Sequence, residues 1–124
     1  MSTPNDQLAR QLAQDESLWR MWNEMGVTES TVLAVDFSFY AANKTAAEQL
    51  AESLRAAGLR KIETRTKRTL LIFKGWEVSA VEDGTWSLQK LQDQTRTYSL
   101  LAEKLGIVYD GCGAMMPGKN ANAP

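Results

Sequence analysis

Few side chains in this sequence could do chemistry, and their spacing limits what that chemistry could be. The chain has no histidine, which removes the commonest general base and the commonest metal ligand together. It has one cysteine, Cys112. A thiolate nucleophile needs an adjacent base or a strongly cationic site, so Cys112 reads as a buried or idle thiol. A lone cysteine also excludes an intramolecular disulfide, which fits a reducing compartment. Asp36 and Asp110 could approach each other if their strands are neighbours, giving a carboxylate pair for acid–base or shared-metal work. Asp36, Asp110 and one cysteine make no standard zinc set. Gly111-Cys112-Gly113 is too short for a phosphate loop; its glycines suit a sharp turn at a strand end. No catalytic residue, metal or cofactor is expected.

One charged stretch invites a different reading. Arg60, Lys61, Arg65, Lys67 and Arg68 put five cations within nine residues. An RNA-binding module using Lys61, Arg65, Lys67 and Arg68 would bind in a salt-sensitive way. However, TLLIFKGWEV lacks the aromatic-rich signature of RNA-recognition strands, and the net charge is −1. A charged edge strand that discourages aggregation is the expected reading, with RNA binding as the alternative.

These residues need elements to position them. The 124 residues favour one domain, and such a chain buries roughly two-thirds of its surface. The polar start, MSTPNDQLARQ, has no signal core, and no window reaches 18 consecutive apolar residues. Leu8, Leu12, Trp19 and Trp22 recur at helical spacing, predicting a helix from Asp6 to about Met25 with Gly26 as its stop. TVLAVDFSFY at 31–40 alternates as a strand: Leu33, Val35, Phe37 and Phe39 on one face, Val32, Ala34, Asp36, Ser38 and Tyr40 on the other. A helix follows to about Ala57, with Thr45 and Glu48 matching a capping box or Asn43 capping instead. Leu59–Thr66 reads as a charged edge strand, with a tight turn near Lys67–Arg68. Thr69–Val81 reads as a strand apolar on both sides around Leu70–Phe73, with a bulge at Gly75. Glu82–Asp83–Gly84 reads as a turn. Leu88, Leu91, Thr95, Tyr98, Ala102 and Leu105 then step along one face of a long helix stopped by Gly106. Ile107–Cys112 is the last strand.

Two strand–helix–strand units sharing one sheet define an α+β architecture: a ferredoxin-like βαββαβ antiparallel sheet with an extra N-terminal helix. The first and third strands would be central. One domain is expected over residues 6–113, with flexible ends at 1–5 and 117–124. The sheet's second face would carry Val32, Ala34, Leu70 or Leu71, and Trp76, with Trp19 and Trp22 of the first helix as its cover. A second copy of the chain, a homodimer, is the alternative cover.

The segment Leu101–Gly113, LAEKLGIVYDGCG, resembles the C-terminal signature of the regulator of ribonuclease activity B family. In that signature a long helix ends in a LAEK-type turn and a short strand runs into Tyr-Asp-Gly-Trp-Gly. Tyr109, Asp110, Gly111 and Gly113 fit it, and Cys112 stands where tryptophan is usual. The order and spacing of elements match over most of residues 6–113. The resemblance implies a non-enzymatic, cytoplasmic bacterial protein that binds and restrains an endoribonuclease of the RNA-degrading machinery. The family's named member is strongly acidic with an acidic tail, whereas this chain ends in PGKNANAP. The expected protein-binding surface is Asp36 with Tyr109, Asp110, Gly111, Cys112 and Gly113, where a glycine-flanked strand end would offer backbone groups and an aromatic ring to a partner.

Overall fold

The computed structural model describes residues 4–59, 61–69 and 73–115. Three helices and four strands follow in the order α1 (Pro4–Glu24), β1 (Val32–Ala41), α2 (Lys44–Ala56), β2 (Lys61–Thr69), β3 (Phe73–Thr85), α3 (Leu88–Leu105) and β4 (Val108–Met115). The strands form one antiparallel sheet in the order β2-β3-β1-β4. This is the expected plan, with β1 and β3 inside and β2 and β4 at the edges.

The burial of β1 follows its sequence alternation. Leu33, Val35, Phe37, Phe39 and Ala41 are buried, while Val32 is exposed and the residues between are half-buried. Val78 and Ala80 of β3 lie beside Phe39 and Phe37 in register and share their face. Ala47, Leu50 and Leu54 of α2 and Leu91, Tyr98 and Ala102 of α3 cover that face. Tyr98 meets Phe37 at 4.9 Å and Phe39 at 5.4 Å, both edge-on. Such pairs add about 0.5–1.5 kcal/mol each beyond the area they bury. Asn43 caps α2 by accepting from the Ala46 amide at 2.8 Å, so the Thr45–Glu48 box is not used. Ser87 caps α3, and Gly106 ends it in the left-handed conformation, at φ 71°.

Several expectations need correction. First, α1 packs against α3, on the same side of the sheet as α2. Trp19, Trp22 and Val27 join the main apolar cluster, and no described part of the chain covers the second sheet face. That face is mixed: by register it presents Asp36, Ser38, Tyr40, Lys61, Glu63, Arg65, Glu77, Ser79 and Asp83 together with Val32, Ala34 and Val81. Trp76 sits opposite Ala41 and so belongs to the helix side, with the Lys44 ammonium 5.8 Å from its ring.

Second, β3 lies further along the chain than its apolar run suggests. β1 pairs with Trp76–Thr85, so Glu82, Asp83 and Gly84 are strand residues and not a turn. Leu70, Leu71 and Ile72 lie outside the described residues, and β2 continues to Thr69, past the turn expected at Lys67–Arg68. Helix α1 begins at Pro4, and 117–124 fall outside the described residues.

Gly75 marks no bulge, since the β2–β3 register runs through it without a shift. It is required for another reason: a Cβ there would overlap the Tyr40 ring. Gly75→Ala is therefore expected to cost about 1–3 kcal/mol by overpacking, read as a lower urea midpoint.

Candidate functional site

The strand end that carries the family-like motif is shaped by a β-bulge. Along β4, Tyr109 pairs with Phe39, but Gly111 pairs with Ser38, so Asp110 is the extra residue. A one-residue insertion reverses the alternation beyond it. Tyr109 and Cys112 consequently face the same way although they are three residues apart. Tyr109 faces the core and is 6% exposed. Cys112 pairs with Phe37 and packs against the core cluster. Gly111 adopts φ 107° with the Gln11 side chain of α1 beside it; a Cβ there would lie 3.4 Å from Gln11 Oε1. Gly111→Ala should destabilise the fold by about 1–3 kcal/mol, because a side chain is strained in that conformation.

The structure thus divides the expected surface. Asp36, Asp110 and Gly113 are at least partly accessible. Tyr109 and Gly111 are buried, and Cys112 is turned inward. The expectation that the strand end exposes its aromatic ring is corrected by this burial. Asp36 lies opposite Gly113, and Asp110 stands three residues away along β4, roughly 10 Å of strand. The carboxylates that act on Asp36 are Glu77 and Glu63, not Asp110. Burial raises the Asp36 pKa, those two like charges raise it further, and Arg65 opposes them. Asp36 Oδ1 has no hydrogen-bond partner.

On the basic strand, Lys61 pairs with Asp83 at 2.7 Å and Arg65 with Glu77 at 3.1 Å. Both cations spend their charge on the adjacent strand β3. The side chains of Lys67 and Arg68 lie outside the described residues. Among the described residues, no group of three or more histidine, cysteine or acidic side chains could hold a metal ion. No described helix is long and apolar enough to cross a membrane.

One polar cluster was not anticipated from the sequence. Asp15 of α1 is 2% exposed and faces Thr95 of α3 and Tyr109 and Cys112 of β4. The Cys112 thiol donates weakly to Asp15 Oδ1 at 3.9 Å. Asp15 Oδ2, Thr95 Oγ1 and the Tyr109 hydroxyl are buried without a hydrogen-bond partner. Burial raises the Asp15 pKa to about 6, against weaker opposing pulls from Thr95, Cys112 and Arg96. Burial also pushes the Cys112 thiol up to about 12, with the Asp15 carboxyl adding to it. A thiol held so firmly in its neutral form is a poor nucleophile. The available signal was positional: Asp15 falls on the Leu8–Leu12–Trp19–Trp22 stripe of α1, where a carboxyl stands out.

The fold and this region define a ferredoxin-like α+β domain with one sheet face packed under helices and the other, among the described residues, not covered by a helix. The sequence matches the family model Regulator of ribonuclease activity B over residues 12–114, and the chain belongs to that family of ribonuclease regulators. No curated protein sequence matches it significantly.

Proposed function

We propose that this chain restrains an endoribonuclease by binding it as a protein partner in the bacterial cytoplasm, without catalysing a reaction itself. Membership of a ribonuclease-regulator family supports a regulatory role. The observation that carries the choice of surface is the open face of the sheet. Helices cover one side of β1, while the other presents Asp36, half-buried beside Glu77, Arg65 and Glu63. Such a charged face, together with the exposed Asp110, suits a protein partner carrying donors or cations. Asp36, Asp110 and Gly113 form the contact, and Tyr109, Gly111 and Cys112 hold the strand end in shape from beneath.

Immobilised chain incubated with bacterial lysate should retain an endoribonuclease. A folded Asp36→Lys, Asp110→Lys double variant should bind that enzyme at least tenfold more weakly. Retention of no endoribonuclease, or equal retention by the variant, contradicts the proposal. The alternative, RNA binding through Lys61, Arg65, Lys67 and Arg68, predicts salt-sensitive titrations that weaken when these are neutralised. The ion pairs at Lys61 and Arg65 favour the protein reading. A homodimer on the open face would appear as a mass that doubles with concentration in sedimentation.

A further inference from the structure

The first half of α1 is attached in an unusual way. Among its described residues ahead of Trp19, Asp15 alone is buried. Leu8, Gln11, Leu12 and Leu18 are only half-buried, and the rest are exposed. Its polar ties include hydrogen bonds from Gln92 Nε2 to the Leu12 carbonyl at 3.2 Å and from Gln11 Nε2 to the Tyr109 carbonyl at 3.5 Å. A groove of about 440 Å³, lined by Gln7, Leu8 and Gln11 with Ile107 and Tyr109, runs beside this half of the helix. The second half is different: Trp19 and Trp22 are anchored in the core. The one buried anchor of the first half is therefore a carboxyl.

Burial disfavours a charge on that carboxyl more than Thr95, Cys112 and Arg96 stabilise one. On α3 it faces Thr95 and feels the charge of Arg96, which is itself exposed. On β4 it faces Tyr109 and Cys112, both held neutral by burial well above the neutral range. One oxygen has no partner and the other has a thiol at 3.9 Å. An ionised carboxylate in such a setting gains by moving into water.

We propose that Asp15 is a proton-operated latch: protonated, it holds residues 6–18 of α1 against α3 and β4, and ionised, it loosens that segment while Trp19, Trp22 and the sheet stay in place. Loosening uncovers Tyr109 and Cys112, so access to the buried part of the family motif depends on the state of this carboxyl. The direction follows from linkage. The docked carboxyl binds its proton more tightly than one in water, so the opening equilibrium rises with pH through the window between the two pKa values and then levels off. With 3.8 for the open segment and about 6 for the docked one, opening should increase about 50-fold between pH 4 and pH 7.

Amide hydrogen exchange on the full chain, corrected for intrinsic rates, tests this. Amides of residues 6–18 should lose about 50-fold protection from pH 4 to pH 7 relative to those of Trp22 and β1. In Asp15→Asn that relative change should vanish. Loss of protection in parallel along α1 and β1, or a wild-type ratio that stays constant, overturns the latch. The comparison within the wild type decides the matter even if Asp15→Asn folds poorly. An unchanged pH response in a well-folded Asp15→Asn assigns it to another group and equally overturns the proposal.

Discussion

Trp22→Ala is expected to lower global stability by about 3–5 kcal/mol, the range for truncating a large buried aromatic. Trp22 is 2% exposed and meets Trp19 edge-on at 6.3 Å. Its carbonyl accepts from the Val27 amide at 2.9 Å, fixing the turn that leads from α1 into β1. Removing the indole leaves a cavity where the helix joins the core and strips Trp19 of its partner. Met21 and Met25, neighbours that are 47% and 45% exposed, provide the contrast: their alanine variants should stay within about 0.5 kcal/mol of wild type. Urea denaturation of the three variants checks this. A loss below about 1 kcal/mol for Trp22→Ala would mean that α1 is not part of the cooperative core.

Asp15→Asn should stabilise the protein at pH 7, by up to about 3 kcal/mol, and change little at pH 4. The folded-state pKa of Asp15 lies above its ordinary value, at about 6. Between pH 4 and pH 6 the native state therefore binds more protons than the unfolded one, and stability falls as pH rises through that window. Above it the penalty is constant, and two pKa units correspond to about 3 kcal/mol. Asparagine keeps the shape and cannot ionise, so its variant should lack this decline. Some of the gain is lost because an amide on the same site also leaves a polar group unpaired. Denaturation midpoints of both proteins across pH 4–7 should converge at the acid end and separate at the neutral end. Parallel curves would show that Asp15 is ionised in the native state at no cost.

The parts of the fold that could be read from the sequence were those where one physical signal dominated. The strict alternation of Leu33, Val35, Phe37 and Phe39 gave β1 its position and its buried face. The step from Leu88 to Leu105 gave α3. The charges of Lys61, Glu63 and Arg65 placed β2 at the edge. β3 was misplaced because the run Leu70–Phe73 outweighed a quieter alternation in which Trp76, Val78 and Ala80 face the helices and Glu77 and Ser79 face away. Hydrophobic density and period disagreed there, and period was the better guide.

The site was less legible because it depends on one irregularity. Strict alternation would put Tyr109 and Cys112 on opposite faces; the bulge at Asp110 puts them on one. Nothing local in Tyr-Asp-Gly-Cys-Gly distinguishes a glycine in an exposed turn from one at φ 107° against a helix. The expectation that α1 covers the second face fails for a related reason. Its tryptophans announce a docking face but not which side of the sheet receives it. The helix side offers the continuous apolar surface of Leu33, Val35, Phe37, Phe39, Val78 and Ala80, whereas Asp36, Ser38 and Ser79 interrupt the apolar residues of the other face. Asp15 was overlooked because a carboxyl on an exposed-looking helix is usually solvated.

The most direct test is RNA cleavage by the captured endoribonuclease, followed while the chain is titrated in. Cleavage should fall to a plateau near one equivalent, and the Asp36→Lys, Asp110→Lys variant should need at least tenfold more protein for the same effect. Undiminished cleavage at saturating chain, or equal inhibition by wild type and variant, would contradict restraint of the enzyme through the open face of the sheet.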